Sequence, residues 1–367
     1  MKNNPLVDLE NLGQGVWLDY IRRDLFTSGE LKRLIEDDGL TGMTSNPTIF
    51  EKAISSSTDY DAQICQLLRV DPNISADILY EKIAIQDIQS AADFFMPVYK
   101  SKNGMDGFVS LEVSPDLAGD TQGTITQARH LWKTVARPNL MIKVPGTKQG
   151  IPAIETLISE GINVNITLMF TMAHYEAVAQ AYIRGLQRAQ KLEGIASVAS
   201  FFVSRVDTVV DKALEAVDTK EALDLRGQVA IANCRVVYSR FLEIFEGPNF
   251  ATLRQKGARV QRPLWASTGT KNPDYSNVLY VEELAGRNTV NTMPPETLFE
   301  FRQHGIAKKD AVKKGHPQEI LSHLAKVGID LNAVGEKLQQ DGVDSFAVSF
   351  KKLLSALEEK SKAILKQ

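Results

Sequence analysis

The sequence contains little of several features that mark whole classes of protein. Only two of its 367 residues are cysteine, Cys65 and Cys234, and their wide separation excludes a disulfide framework or zinc-ligand spacing. The longest apolar runs, such as residues 195–203, fall far short of the roughly 20 residues that a membrane-spanning helix needs. The net charge is only −3 and no polybasic stretch is present, so neither nucleic acid nor a membrane is an expected partner. A reducing cytoplasm is the expected compartment.

Motifs for nucleotide phosphates and catalytic zinc are also missing. No G-x-G-x-x-G opens a helix after the first apolar run, and no G-x-x-x-x-G-K-[ST] or H-E-x-x-H is found. Small anionic substrates remain possible, because two or three clustered cations suffice to bind them.

Short apolar runs alternate with longer stretches of helical period. Runs with apolar residues at both parities are typical of parallel strands that are buried on both faces. About eight such strands followed by helices predict βα units, and at this length a closed (β/α)8 barrel is favoured over a doubly wound sheet. The candidate strands are residues 16–18, 39–44, 107–113, 140–144, 162–168, 196–203, 263–266 and 289–293.

The predicted barrel spans residues 1–300, and residues 301–367 form a Lys/Glu-rich helical extension packed on it rather than an independent domain. Asp330 is placed to cap one apolar helical stripe, and Ser345 precedes a second stripe that contains Phe346. Whether these helices cover the barrel mouth or form an interface stays open at this point.

Polar side chains occur within or just after the apolar runs. They are Asp19, Glu112, Lys143, Asn165 and Thr167, all toward the carboxyl ends of their strands. Taken singly, each has an ordinary structural explanation, such as a turn cap, a snorkelling lysine or a satisfied core amide. Taken together, they predict one site, because side chains at these strand ends converge on the mouth of a barrel.

A lysine in an apolar strand indicates a particular chemistry. Removing an amine from water favours its neutral form, which attacks carbonyl carbons to give a Schiff base. Glu112 could supply the acid and base for dehydration through a water held with Thr167. Asp19 could take the hydroxyl proton when the neighbouring C–C bond breaks.

An anion site is also predicted. Ser200 ends one apolar run, and Ser204 and Arg205 open the helix that follows. Backbone N–H groups at a helix start, together with an arginine, favour a phosphate, although Arg205 could equally be a surface cation.

At this point the motifs resemble those of transaldolase, in the right order, from about residue 5 to residue 300. The N-terminal residues and the length are more similar to the longer bacterial transaldolases than to the shorter sugar-phosphate aldolases. The matching segments are Thr-Ser-Asn-Pro-Thr at 44–48, Leu-Glu-Val-Ser at 111–114, Met-Ile-Lys-Val-Pro-Gly-Thr at 141–147, Asn-Ile-Thr-Leu at 165–168 and Ser-Phe-Phe-Val-Ser-Arg at 200–205.

The resemblance implies a single (β/α)8 barrel with a Schiff-base lysine on its fourth strand. It implies transfer of a dihydroxyacetone unit from sedoheptulose 7-phosphate or fructose 6-phosphate to an aldose phosphate, in the non-oxidative pentose phosphate pathway. The family uses no metal and no organic cofactor, so none is expected here. Its partners are small sugar phosphates. A homodimer is possible, since relatives are often dimers, although no sequence feature demands one.

The resemblance also implies roles for individual residues. Lys143 resembles the nucleophile, Asp19 the acid/base, and Glu112 with Thr167 the pair that holds the catalytic water. The residues that resemble substrate-binding positions are Asn46 and Asn165 for the dihydroxyacetone unit, Ser200 and Arg205 for substrate and phosphate, and Phe202 for the aromatic wall.

Two positions depart from the family pattern. Phe201 stands where many relatives have proline before the aromatic residue. The second phosphate arginine expected after strand seven is not evident, and Lys271 lies near that place. A lysine binds phosphate as a point charge but lacks the bidentate fork of arginine.

Two other functions fit the same residues. One is a Schiff-base aldolase that releases free dihydroxyacetone to water, which a requirement for an aldose acceptor would distinguish. The other is a non-catalytic sugar-phosphate binder on a barrel scaffold, which fold alone does not exclude. The Lys, Asp, Glu and Thr set argues against the binder, because binding gains nothing from a desolvated amine.

Overall fold

The computed structural model describes residues 4–366 and contains a closed barrel of eight parallel strands. Each strand pairs with its neighbours in chain order, and the eighth pairs with the first. The strands are β1 Gln14–Asp19, β2 Gly42–Thr44, β3 Phe108–Glu112, β4 Leu140–Pro145, β5 Val164–Met169, β6 Ser197–Phe202, β7 Arg262–Ala266 and β8 Thr289–Met293.

Helices surround the barrel and extend beyond it, and two single 3₁₀ turns lie at Pro115–Leu117 and Ala311–Lys313. The helices are α1 Pro5–Asn11, α2 Asp24–Thr27, α3 Glu30–Asp38, α4 Pro47–Ser55, α5 Asp61–Val70, α6 Ala76–Ser101, α7 Thr121–Val135, α8 Gly150–Ser159, α9 Met172–Arg188, α10 Ser204–Val217, α11 Lys220–Leu223, α12 Val229–Phe245, α13 Pro248–Gln255, α14 Leu279–Glu283, α15 Pro295–His304, α16 Pro317–Lys326 and α17 Leu331–Ile364.

The predicted (β/α)8 barrel with additional C-terminal helices is confirmed. Each of the eight candidate apolar segments contains or overlaps one strand, and nearly every strand residue is buried, as the apolar residues at both parities indicated. The predicted boundary at residue 300 falls inside α15, which packs on β1 and β8 as the last helix of the barrel. Residues 1–3 and 367 of the two predicted regions lie outside the described residues.

A buried polar cluster fills the amino-terminal end of the barrel. Trp17 Nε1 donates to Asp106 Oδ1 at 2.8 Å, and Arg262 Nη1 lies 3.1 Å from Asp106 Oδ2. The Trp17 indole lies against Gly42, its partner in the β1–β2 register. A β-carbon at Gly42 would lie 2.5 Å from the indole ring, so only glycine leaves room for the tryptophan.

The extension ends in one long helix, α17, of 34 residues. Asp330 caps it as predicted, with Oδ1 accepting from the N–H groups of Asn332 and Ala333. The two apolar stripes expected after Asp330 and Ser345 belong to this single helix, which packs on α4, α10 and the end of β5. At the mouth of the barrel, α17 therefore covers the carboxyl end of β5.

Among the described residues, no helix is both long enough and apolar enough to cross a membrane. Cys234 is fully buried in α12, and both cysteines are free thiols.

We expect Gly42→Ala to lower the free energy of unfolding by about 1–3 kcal/mol, because the new methyl group overlaps the Trp17 indole. Gly119→Ala is the matched control, since a β-carbon there meets no atom within 4 Å and should change stability by less than about 0.5 kcal/mol. Urea unfolding of both variants measures the difference. Equal stability of the two variants would contradict this account of the barrel interior.

Candidate active site

Lys143 and Glu112 form an ion pair in the barrel mouth. They are register partners on β4 and β3, so both side chains point into the barrel, and Lys143 Nζ lies 3.1 Å from Glu112 Oε2. Lys143 is 5% exposed and Glu112 is 8% exposed. Lys143 Nζ also donates to the carbonyl oxygen of Ser45 at 3.1 Å. The amine is thus fixed at the centre of the mouth by one carboxylate and one carbonyl.

Asp19 ends β1 and is held by a chain of hydroxyl groups. Thr44 Oγ1 donates to Asp19 Oδ1 at 2.7 Å, and Thr44 Oγ1 lies 2.7 Å from Thr292 Oγ1. Thr44 has one proton to give, so when it donates to Asp19 the hydrogen bond between the threonines is donated by Thr292. These hydrogen bonds fix the carboxylate of Asp19 and join β1, β2 and β8 at the mouth.

Asn165 links three strands beside Lys143, its register partner on β4. Its Nδ2 donates to Ser110 Oγ at 2.9 Å, and its Oδ1 accepts from Ser200 Oγ at 2.6 Å. Asn165 is fully buried and Ser200 is 2% exposed. The amide therefore has a fixed orientation, and a Ser200 hydroxyl is placed in the same layer.

Glu112 Oε2 forms no regular hydrogen bond and has only the ion pair with Lys143. Thr167 Oγ1 and Glu112 Oε1 have no partner among the described residues, although both are buried. Buried polar groups in proteins are nearly always paired, and exceptions cluster where a ligand or water binds. These two atoms are available to a water molecule or to a substrate hydroxyl beside Lys143.

Burial acts on both carboxyl groups of the site. It raises the pKa of Glu112 and of Asp19 above their ordinary values, while the Lys143 charge acts in the opposite direction on each. A carboxyl group with a raised pKa is a better general acid or base near neutral pH than an exposed one. The mouth thus combines an amine nucleophile with two carboxyl groups suited to proton transfer.

Aromatic rings surround the guanidinium of Arg205 at the rim. Arg205 Cζ lies 5.0 Å from the ring centre of Phe202 and 5.9 Å from that of Phe346. Phe202 packs in turn on Phe170, with ring centres 5.3 Å apart. Desolvation lowers the pKa of Arg205 from its ordinary value, although the group stays charged. The predicted wall residue and the predicted phosphate ligand are therefore in contact.

The other predicted positions are more peripheral. Asn46 follows β2 and caps α4, with Oδ1 accepting from the Ile49 N–H at 3.0 Å, so its Nδ2 group remains free to donate. Lys271 lies exposed on the loop after β7, and no hydrogen bond or ion pair joins it to the mouth residues described above. Phe201 points away from the mouth and meets Trp265 edge to face at 6.5 Å.

Sequence reasoning did not identify several residues of the site. Thr44 and Thr292 hold Asp19, and Ser110 holds Asn165. All three are polar residues in buried strands, and that pattern could have indicated them. Hydroxyl side chains are common in strands, however, so the pattern is weak. Phe346 reaches the site from α17, and its helical stripe looked like ordinary core packing.

The chemistry that this arrangement supports is covalent catalysis by an amine with carboxyl groups as acid and base. Within residues 4–366, no group of three or more His, Cys, Asp or Glu side chains is arranged to hold a metal ion.

Comparison with known proteins agrees with this geometry. The sequence model of the family described as Transaldolase/Fructose-6-phosphate aldolase matches residues 16–357. A protein named Transaldolase from Mycobacterium marinum (strain ATCC BAA-535 / M) is 45% identical over 372 residues, covering 100% of this chain and 99% of the relative. A Transaldolase from Thiobacillus denitrificans (strain ATCC 25259 / T1) is 46% identical over 361 residues, covering 96% and 99%.

Both relatives are matched along nearly their whole length, and the family model spans β1 to α17. The resemblance predicted from the strand-end motifs is confirmed: the chain belongs to the transaldolase/fructose-6-phosphate aldolase family.

Proposed function

We propose that this protein is a transaldolase that moves a dihydroxyacetone unit between sugar phosphates through a Schiff base on Lys143. The donors are sedoheptulose 7-phosphate or fructose 6-phosphate, and the acceptors are erythrose 4-phosphate or glyceraldehyde 3-phosphate, as in the non-oxidative pentose phosphate pathway. The observation that carries the proposal is the buried Lys143 amine, 3.1 Å from Glu112 in a barrel mouth that also holds Asp19.

The first half of the reaction forms the Schiff base. Glu112 first takes a proton from the Lys143 ammonium group, to which it is paired. The freed lone pair of Lys143 Nζ then attacks the C2 carbonyl of the ketose, and the resulting carbinolamine loses its oxygen as water. Glu112 supplies and removes the protons of this step through a water bound between Glu112 Oε1 and Thr167 Oγ1, two buried atoms that lack other partners. The product is a cationic iminium group at C2.

The second half transfers the three-carbon unit. The Asp19 carboxylate takes the proton of the C4 hydroxyl, the C3–C4 bond breaks, and its electron pair moves into the iminium to give an enamine. The first aldose phosphate then leaves. When the enamine attacks the aldehyde carbon of the acceptor, Asp19 returns its proton to the new hydroxyl, and water releases the ketose product from Lys143.

Substrate binding is assigned to the polar groups around this centre. Asn46 and Asn165 each offer an N–H donor to the hydroxyl groups of the dihydroxyacetone unit. Ser200, whose own proton is donated to Asn165 Oδ1, offers an acceptor oxygen. Phe202 forms one wall. Arg205 receives the phosphate, and Lys271 supplies the second cation from its exposed loop.

Two free cysteines are consistent with a reducing cytoplasm as the working compartment. The expected partners are small sugar phosphates, without nucleic acid or membrane, and a homodimer remains part of the proposal.

We expect Lys143→Arg to lower kcat at least about a thousandfold, because arginine keeps the charge opposite Glu112 but does not form the iminium. Borohydride reduction with fructose 6-phosphate should attach a three-carbon adduct to wild-type Lys143, located by peptide mass mapping, and leave the variant unmodified. A folded wild-type protein with no adduct on any lysine would overturn the covalent mechanism. Cleavage of fructose 6-phosphate without an aldose acceptor would indicate the aldolase instead.

As the pH is lowered, activity should be lost at a higher pH than an exposed carboxyl group would give. Asp19 and Glu112 have pKa values above their ordinary range, so as the pH falls each gains its proton earlier than an exposed carboxyl group does. The base form of Asp19 is therefore lost at a higher pH, and the acid limb of kcat/KM should have its midpoint above about pH 4. Circular dichroism at each pH checks that the fold persists. A midpoint at or below that value would contradict the assigned environment.

Lys271→Ala should raise KM for fructose 6-phosphate about threefold to tenfold and leave kcat nearly unchanged, because an exposed charge contact contributes roughly 1 kcal/mol. Turnover of unphosphorylated fructose is the control, since it has no phosphate for Lys271 to bind. If KM rose equally for both sugars, or for neither, Lys271 would not be part of the phosphate site.

A further inference from the structure

The long helix α17 contributes a ring to the active site. The helix crosses from the side of α10 and β5 to the side of α4, over the carboxyl ends of the strands. One stripe of its residues is buried against the rest of the molecule, at spacings of three or four. These residues are Gly335, Leu338, Gly342, Phe346, Phe350, Leu353 and Leu357.

Two glycines let α17 approach the barrel closely. A β-carbon at Gly335 would lie 2.1 Å from Thr171 Cγ2, and one at Gly342 would lie 2.8 Å from Leu168 Cδ2. The same added atom at Gly342 would be 3.6 Å from Arg205 Nη1. The backbone of α17 therefore packs closely on the end of β5, and a side chain at Gly342 would touch Arg205.

Polar contacts fix the height of α17 above the mouth. Gln339 Nε2 donates to the carbonyl oxygen of Leu168 at 2.9 Å and to that of Gly146 at 3.2 Å. Leu168 has φ 61°, an unusual value for a bulky residue, so its carbonyl group is turned out of the regular ladder. Glu336 Oε1 lies 2.9 Å from His174 Nε2 on α9. These contacts lie within three turns of Phe346.

Phe346 is the residue that these contacts place over the reacting groups. It lies one helical turn after Gly342 and is 4% exposed. Its ring centre is 5.7 Å from Lys143 Nζ and 5.9 Å from Arg205 Cζ. The ring therefore lies within cation–π range of both cations of the site at once.

The guanidinium of Arg205 depends on aromatic rings for its position. Among residues 4–366 it forms no hydrogen bond or ion pair, and the charges of Asp19 and Glu112 act on it only from a distance. Its close neighbours are Phe202 on one side and Phe346 and Gly342 of α17 on the other. An arginine held by ring faces alone keeps all of its N–H donors free for an anion.

We infer that Phe346 is a positioning residue that holds Arg205 against Phe202, with its donors directed at the substrate phosphate. This inference rests on the proposed function and assigns part of its phosphate specificity to α17. Without the ring, Arg205 gains freedom to move into the space above the mouth. Binding of phosphorylated sugars should then weaken, while the chemistry at Lys143 continues.

The test compares Phe346→Leu with Phe350→Leu. Phe350 lies one turn further along the same buried stripe, and its ring packs on Tyr80 at 5.5 Å, so it matches Phe346 in helix, volume and burial. We expect Phe346→Leu to raise KM for fructose 6-phosphate about threefold to tenfold, the range of a desolvated cation–π contact. The KM for unphosphorylated fructose should rise less than the KM for fructose 6-phosphate, so that the ratio of the two KM values changes, and Phe350→Leu should leave both values unchanged.

A second measurement asks whether Phe346 acts through Arg205. In an Arg205→Lys background, which lacks the planar guanidinium, Phe346→Leu should add little to KM for fructose 6-phosphate, because neighbouring residues with one shared function are not additive. Phe346→Tyr keeps the ring face and should restore KM to within about twofold of the wild-type protein. This variant also serves if the leucine variant does not fold.

The outcomes separate this inference from the proposed function. If the wild-type protein transfers no three-carbon unit and gives no borohydride adduct, the proposed function fails. If it does both, but Phe346→Leu affects fructose and fructose 6-phosphate equally, or matches Phe350→Leu, then Phe346 only packs the helix and the inference is overturned. Additive effects of the Phe346 and Arg205 substitutions would overturn it as well.

Discussion

The buried ion pair between Lys143 and Glu112 is the constraint on which the rest of the mouth depends. Taking either charge out of water costs several kcal/mol, and neither would be stable there without the other. Their shared register on β3 and β4 sets the separation at 3.1 Å, so the pairing follows from the sheet rather than from flexible side chains. On the adjacent strand β5, Asn165 joins Ser110 of β3 to Ser200 of β6, and Phe346 covers the pair from above.

The two ends of the barrel treat buried charge differently. At the amino-terminal end, both oxygens of Asp106 are hydrogen-bonded or paired, through Trp17, the Gly107 N–H and Arg262. At the carboxyl end, Glu112 Oε1 and Thr167 Oγ1 are left without partners among the described residues. A satisfied carboxylate stabilises the closed end of the barrel, whereas an unsatisfied one has capacity left for proton transfer and for substrate.

Much of the barrel and of its polar mouth could be read from the sequence, because both follow from local patterns. Strands buried on both faces need unbroken apolar runs, and a charge such as Lys143 stands out in one. The apolar pattern was weak at β2, which has only three residues. One of them is Gly42, because the Trp17 indole occupies the space that a side chain would need. Phe346 could not be predicted as a site residue. The local sequence pattern of a ring that packs on the core is the same as that of a ring that reaches Arg205 across the mouth.

The site joins parts of the chain that are far apart in order of synthesis. Asp19 comes from the first strand, and Phe346 follows it by more than 300 residues, in a helix that begins only after the barrel is closed by β8. During synthesis, all eight strands, with Lys143 and Glu112, are made before the ring that covers them. In chain order, the strands of the barrel are therefore complete before the ring that covers Lys143 and Glu112, which comes with α17.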